Sequence, residues 1–126
     1  MKTLARYMTE ALSIKDRDFM FSTRDLIDNK IWTPNENYRK MDSQVISENF
    51  YKKYPEDKDY CGTVAGYKVM CQYNLHPAVV FSVFCPGASE DDKIKVVQEC
   101  IDFLLNEVAS TAPGRDNKQL LKKLIK

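Results

Sequence analysis

The strongest pattern in the chain is the run from Tyr60 to Gly87, where two apolar stretches are separated by turn residues. Tyr67, Val69, Cys71 and Tyr73 alternate with Lys68, Met70 and Gln72, the period of two expected of a strand with one buried face. Ala78 to Cys85 is the most apolar stretch and is rich in Val and Phe, which suits a central strand. Asn74 to Pro77 supplies the turn, because Pro77 fixes its own φ and has no N–H to give to a ladder. The two strands are expected to form an antiparallel hairpin centred near His76, with Cys71 opposite Phe81 and Tyr67 opposite Cys85.

Helical periodicity flanks this hairpin. Leu4, Tyr7, Met8, Ala11 and Leu12 fall on one face of a first helix that Thr3 can cap. Ser13 to Asp18 is polar and is expected to be a loop, with Phe19 to Phe21 as a hydrophobic anchor after it. Ser22 and Asp25 form a helix-start signal for a short helix over Thr23 to Asn29. The following loop, broken by Pro34, carries Trp32, which is expected to plug the core and pin the loop. From Tyr38 or Asp42 a further helix runs to Tyr54, where Pro55 stops it. Its core stripe is Val45, Ile46, Phe50 and Tyr54, and its outer face is expected to show Gln44, Ser47, Glu48, Tyr51 and Lys52.

After the hairpin, Ser89 opens a long helix whose first turn is acidic. Ile94, Val97, Ile101, Leu104 and Val108 make one stripe, widened by Val96, Cys100, Phe103 and Leu105. So wide a surface needs two covers: the hairpin, and either the first helix or a second copy of the chain. Pro113-Gly114 then breaks the pattern, and residues 115–126 form a basic amphipathic tail expected to dock on the body, bind an acidic partner or touch a membrane surface. The expected architecture is α+β: N-terminal helices, a central antiparallel hairpin or small sheet and a long C-terminal helix, in one compact domain over residues 1–114 followed by the tail.

Composition narrows the class of protein. At 126 residues with 44% hydrophobic and 29% charged side chains, the chain has the composition of one soluble domain with its own core. The N-terminal stretch lacks the uninterrupted apolar core of a signal peptide, and no run reaches membrane-spanning length, so a cytoplasmic or nuclear location without integral membrane association is expected. Cys61, Cys71, Cys85 and Cys100 lack metal-ligand spacing and are expected to be free, inert thiols; no cofactor or metal is implied. Residues 1–114 carry 14 Lys and Arg against 17 Asp and Glu, whereas residues 115–126 carry five basic residues and one acidic. A mildly acidic body argues against a broad nucleic-acid surface but leaves room for a narrow one.

No phosphate loop, dinucleotide-binding glycine pattern, zinc-protease motif or nucleophile elbow is present, so an enzyme is unsupported. Two binding functions remain. The element order matches a winged helix, which implies a DNA-binding regulatory protein. Gln44, Ser47 and Tyr51 would then face the major groove, and Arg39, Lys40, Lys52, Lys53 and Lys58 would meet phosphates. Lys68 on the wing would approach the backbone, and the long last helix would pair two copies as a homodimer. The alternative is a protein-binding domain, such as an adaptor, an inhibitor or an immunity-type antagonist, for which mixed charge and many tyrosines are suitable.

Overall fold

The computed structural model describes residues 16–74, 78–108 and 110–125, with Arg39 described by its backbone alone. The first expected helix and the His76 turn lie outside the described residues.

A short strand, β1 (Phe19–Ser22), comes first and leads directly into helix α1 (Thr23–Asp28). Ser22 ends the strand and caps the helix: the Asp25 N–H donates to Ser22 Oγ at 3.2 Å, and the Ser22 N–H donates to Asp25 Oδ2 at 2.9 Å. That reciprocal pair is the capping box expected from the sequence. The Phe19 to Phe21 anchor is thus a strand, paired antiparallel with a segment about sixty residues further on.

A 3₁₀ turn (Glu36–Lys40) precedes α2 (Ser43–Lys53), which Asp42 caps by accepting from the Gln44 N–H. Strands β2 (Gly62–Val64), β3 (Tyr67–Tyr73) and β4 (Val79–Phe84) follow, then the long helix α3 (Glu90–Val108) and the short α4 (Lys118–Leu121). The four strands form one antiparallel sheet in the order β1-β4-β3-β2. Within the β3–β4 hairpin Cys71 faces Phe81, the register expected from the sequence. Ala65 and Gly66 join β2 to β3 with positive φ at both positions, as a tight two-residue turn requires.

The fold is therefore α+β, with a four-stranded antiparallel sheet and a long helix. Its order departs from the expected winged-helix layout, since a strand precedes the first described helix; of the two expected alternatives, a lone hairpin or a small sheet, the hairpin belongs to a small sheet.

The inner sheet face carries Phe19, Phe21, Val69, Cys71, Val79, Phe81 and Val83, which share one contiguous core with Leu26 of α1, Ile46 and Phe50 of α2 and the apolar side of α3. Phe50 is the hub, with its ring 5.8 Å from Phe81, 5.5 Å from Phe103 and 5.0 Å from Tyr54. Asn49 Nδ2 donates to Glu107 Oε1 at 2.7 Å and so ties α2 to the C-terminal end of α3. Gly62 is needed where α2 ends above β2, since a Cβ there would sit 2.7 Å from the Tyr54 carbonyl oxygen.

The α3 stripe of Ile94, Val97, Ile101, Leu104 and Val108 is buried in the contiguous core. Part of its cover is the tail. The Gly114 N–H donates to the Ile31 carbonyl, Arg115 makes a bidentate pair with Asp102 at 2.6 and 2.8 Å, and Leu121 and Leu124 are buried. The basic tail is packed against the body, the first of its three expected outcomes.

The outer sheet face differs. A row across three strands places Met20, Ser82 and Met70 side by side, flanked by Val80 and Phe84. Met70 and Ser82 are fully buried, yet Met70 lies outside the contiguous core formed with the helices. Ser82 Oγ is buried without a hydrogen-bond partner. Because an unpaired buried hydroxyl costs desolvation with no return, Ser82→Ala is expected to leave stability unchanged or to raise it by about 1 kcal/mol. A urea titration reads this directly, and a marked loss would mean that the hydroxyl has a partner.

Candidate interaction surface

Helix α2 was the expected reading helix, and its polar residues fall into two groups. Ser43, Ser47 and Tyr51 recur at i, i+4 and i+8, so they form one line along the helix. That line faces the sheet. Ser43 Oγ donates to the Asn74 carbonyl at 2.9 Å, and Ser47 Oγ donates to the Cys71 carbonyl at 2.9 Å. The Tyr51 hydroxyl accepts from the Cys71 N–H at 2.9 Å, and its proton lies between the carbonyls of Tyr60 and Cys71 at 3.2 and 3.3 Å.

The reason is a gap in the sheet. Strand β2 starts at Gly62, paired with Val69, so the next bonded pair in that register would be Tyr60 with Cys71. Tyr60 has φ 62° and leaves the strand path. On that side the Cys71 N–H and carbonyl meet side chains of α2, in keeping with the rule that buried backbone groups are satisfied by something. Ser47 and Tyr51 supply what the missing strand does not.

Ser47 and Tyr51 are therefore placed differently from the expectation that they face a DNA groove: Ser47 is buried and Tyr51 half-buried. Tyr51→Phe is expected to cost about 1–3 kcal/mol, the penalty for stranding a buried donor. Chemical denaturation checks it; an unchanged midpoint would show that the hydroxyl does not hold the strand.

Lys68 also has a structural partner set. Its Nζ lies 2.5 Å from Asp59 Oδ2 and 3.4 Å from Asp57 Oδ2. Asp57 in turn accepts from the N–H groups of Asp59 and Cys61 through Oδ1, at 2.8 and 3.1 Å, and so shapes the loop. Burial pushes the Asp57 pKa up, but those N–H groups and the Lys68 ammonium together outweigh burial and hold it below its ordinary value. The Lys68 ammonium is held above its ordinary value, first by the hydrogen bond to Asp59. Lys68 is thus tied to two carboxylates, in a strand flanked on both sides, and does not project on a free wing.

Of the remaining expected residues, Arg39 is described by its backbone alone, and the other five face solvent. Gln44, Lys40, Lys52, Lys53 and Lys58 are exposed, and among the described residues none of the four lysines has an ion pair. Gln44 Nε2 donates to Glu48 Oε1 at 3.1 Å, and the Lys53 ammonium lies 5.6 Å from the centre of the Tyr54 ring. Val45 stands among them with 44% of its surface exposed, the opposite of its expected place in the core stripe.

All four cysteines are buried and outside any disulfide. Burial pushes the Cys85 and Cys100 thiols above their ordinary values, which suppresses the thiolate needed for nucleophilic chemistry. At the start of α3 a cleft of about 380 Å³ is lined by Glu90, Lys93, Gln119, Lys122, Lys123 and Ile125. Lys122 Nζ lies 3.4 Å from Glu90 Oε1, so part of its positive charge is already matched. Among the described residues no helix is long and apolar enough to cross a membrane.

Nothing in the residue pattern marks the Ser43, Ser47 and Tyr51 seam as a structural device, although its i, i+4, i+8 spacing is visible beside Ile46 and Phe50. Comparison with protein-family models, with curated proteins and with solved structures yields no match.

Proposed function

We propose that the chain is a non-catalytic protein-binding domain, of the adaptor, inhibitor or immunity-antagonist kind. One observation carries this reading: the hydrogen-bonding line of α2 is spent on β3, and the face left outward mixes Gln44, Glu48 and Lys52 around exposed Val45. An apolar side chain ringed by both signs of charge suits a protein partner, whereas a phosphate backbone calls for one sign. The test is capture by the tagged full chain from the cells that make it, beside Val45→Arg. The expected result is one stoichiometric protein partner, lost in the variant while the circular dichroism spectrum is unchanged. Recovery of no stoichiometric partner would overturn the reading.

A winged-helix-like DNA-binding regulator is the second reading. It is favoured by Lys40, Lys52, Lys53 and Lys58, which stand exposed and without ion pairs among the described residues. Ser47, Tyr51 and Lys68 are already engaged within the chain, so phosphate contacts would dominate and sequence readout would be weak. Gel-shift titration at several salt concentrations separates the two readings. DNA affinity that falls steeply with salt supports the second, and no binding at low salt removes it.

A further inference from the structure

The cleft at the start of α3 is lined by no residue of α2, so what it holds is a question beyond the protein-binding reading. One wall is the first turn of α3, with Glu90 and Lys93, and the other is the tail, with Gln119, Lys122, Lys123 and Ile125. The tail runs back along α3. Arg115 pairs with Asp102 and its carbonyl accepts from Gln98, whereas Lys122 reaches Glu90. Asp102 and Glu90 are about 18 Å apart along a helix axis, so the tail spans much of α3 before it meets the first turn. Leu121 and Leu124 are buried and pin it there, which carries Lys122 and Lys123 between them to the cleft.

We propose that this cleft binds a small soluble molecule through a phosphate monoester group. Five of the six lining residues are polar or charged and only Ile125 is apolar, which selects a polar ligand. Three lysines line it with one carboxylate. Lys122 is matched by Glu90 at 3.4 Å, and among the described residues Lys93 and Lys123 have no ion pair. The other acidic residues of the first turn do not fill this place: Asp92 accepts from the Tyr67 hydroxyl at 3.0 Å, and Asp91 is not part of the lining.

Two unmatched ammonium groups on facing walls suit one compact dianion. A carboxylate brings a single charge, whereas a phosphate monoester brings about two negative charges and three acceptor oxygens at neutral pH. Lysine meets such a group as a point charge. The volume of about 380 Å³ lies in the range of small-molecule sites and leaves room for an organic body beside Ile125. Lys93 and Lys122 are partly buried, so the charge sits in a recess, whereas attraction to a lipid surface calls for basic side chains that project.

The experiment follows the backbone amide shifts of the full chain during titration with phenyl phosphate at constant ionic strength. Saturable shifts confined to residues 90–93 and 119–125 are expected. The probe is a dianion at about pH 7.5 and a monoanion at about pH 5, and its affinity is expected to fall about tenfold between them. Sulfate, a dianion at both values, is expected to bind equally at each. Lys93→Gln and Lys123→Gln should each weaken phenyl phosphate about tenfold. Glu90→Gln, which removes the opposing carboxylate, should tighten it severalfold. Lys95→Gln, an exposed position of α3 outside the lining, should leave it unchanged. Shifts that fail to saturate, or that spread equally over Lys40, Lys52 and Lys53, would mean general screening and overturn the proposal, as would weaker binding by Glu90→Gln. Co-sedimentation with phosphatidic acid vesicles, without a response to phenyl phosphate, would replace the soluble ligand with a lipid headgroup and overturn it too.

Discussion

Replacing Phe50 with Ala is expected to remove about 3–5 kcal/mol of stability, a large share of the roughly 5–15 kcal/mol that holds a domain together. The ring is fully buried and touches Phe81 of β4, Phe103 of α3 and both Tyr51 and Tyr54 of its own helix. No other described aromatic side chain joins the sheet to both long helices in this way. Truncation opens a cavity at their junction, and the close approach of Gly62 to Tyr54 leaves little freedom for collapse. Urea denaturation should show the loss as a lower midpoint with little change in slope. Val45→Ala, on the opposite side of the same helix, is expected to stay within about 0.5 kcal/mol of the parent. Equal effects of the two substitutions would mean that α2 is not seated as described.

The second large effect is expected at Trp32, where Trp32→Ala should cost about 3–5 kcal/mol. Only 1% of this side chain is exposed, and its ring meets Tyr38 edge-on at 5.1 Å. Its indole N–H donates to Ser110 Oγ at 2.6 Å. Tyr38 carries the contact inward: its hydroxyl donates to Thr23 Oγ1 at 2.8 Å, and the same oxygen accepts from the Val79 N–H at 3.1 Å. The loop is therefore tied through one chain of contacts to the start of β4. Burial raises the Tyr38 pKa, keeping the hydroxyl protonated so that it can donate. Trp32→Phe keeps most of the ring volume and loses the indole donor, and is expected to cost about 1 kcal/mol from the lost bond alone. Thermal unfolding of both variants separates packing from hydrogen bonding; a Phe variant as damaged as the Ala variant would assign the site to the N–H.

Much of this was legible along the chain. The β3–β4 hairpin and its register followed from an alternating stretch and a continuous apolar run on either side of the turn at Pro77, because one buried face leaves little choice of pairing. The end of α2 followed from Pro55 and its start from Asp42, one of two expected positions, and the buried side of α3 followed from its regular apolar stripe. Trp32 was expected as a core plug, and it is one.

Strand β1 escaped notice because four residues show too little alternation, and Ser22 at its end already signalled a helix. Its strand character comes from pairing with β4, a distant contact that local pattern does not contain. Strand β2, three residues with a glycine first, escaped for the same reason. The misplacement of Ser47 and Tyr51 has a different origin. Polar side chains on a helix face solvent by default, and these two face inward only because β2 stops one pair short of Cys71. Val45 is the converse, an apolar residue turned outward because the line from Ser43 to Tyr51 takes the inner side.

The central claim is that this polar line of α2 holds the edge of β3 and is not a free reading surface. Amide hydrogen exchange at Cys71 tests it most directly. The account predicts slow exchange at Cys71 in the parent chain, comparable with Met70 and Gln72, whose strand is paired with β4. It further predicts faster exchange at Cys71 in Tyr51→Phe, with the other two unchanged. Rapid exchange at Cys71 in the parent chain, or no response to the loss of the Tyr51 hydroxyl, would contradict it.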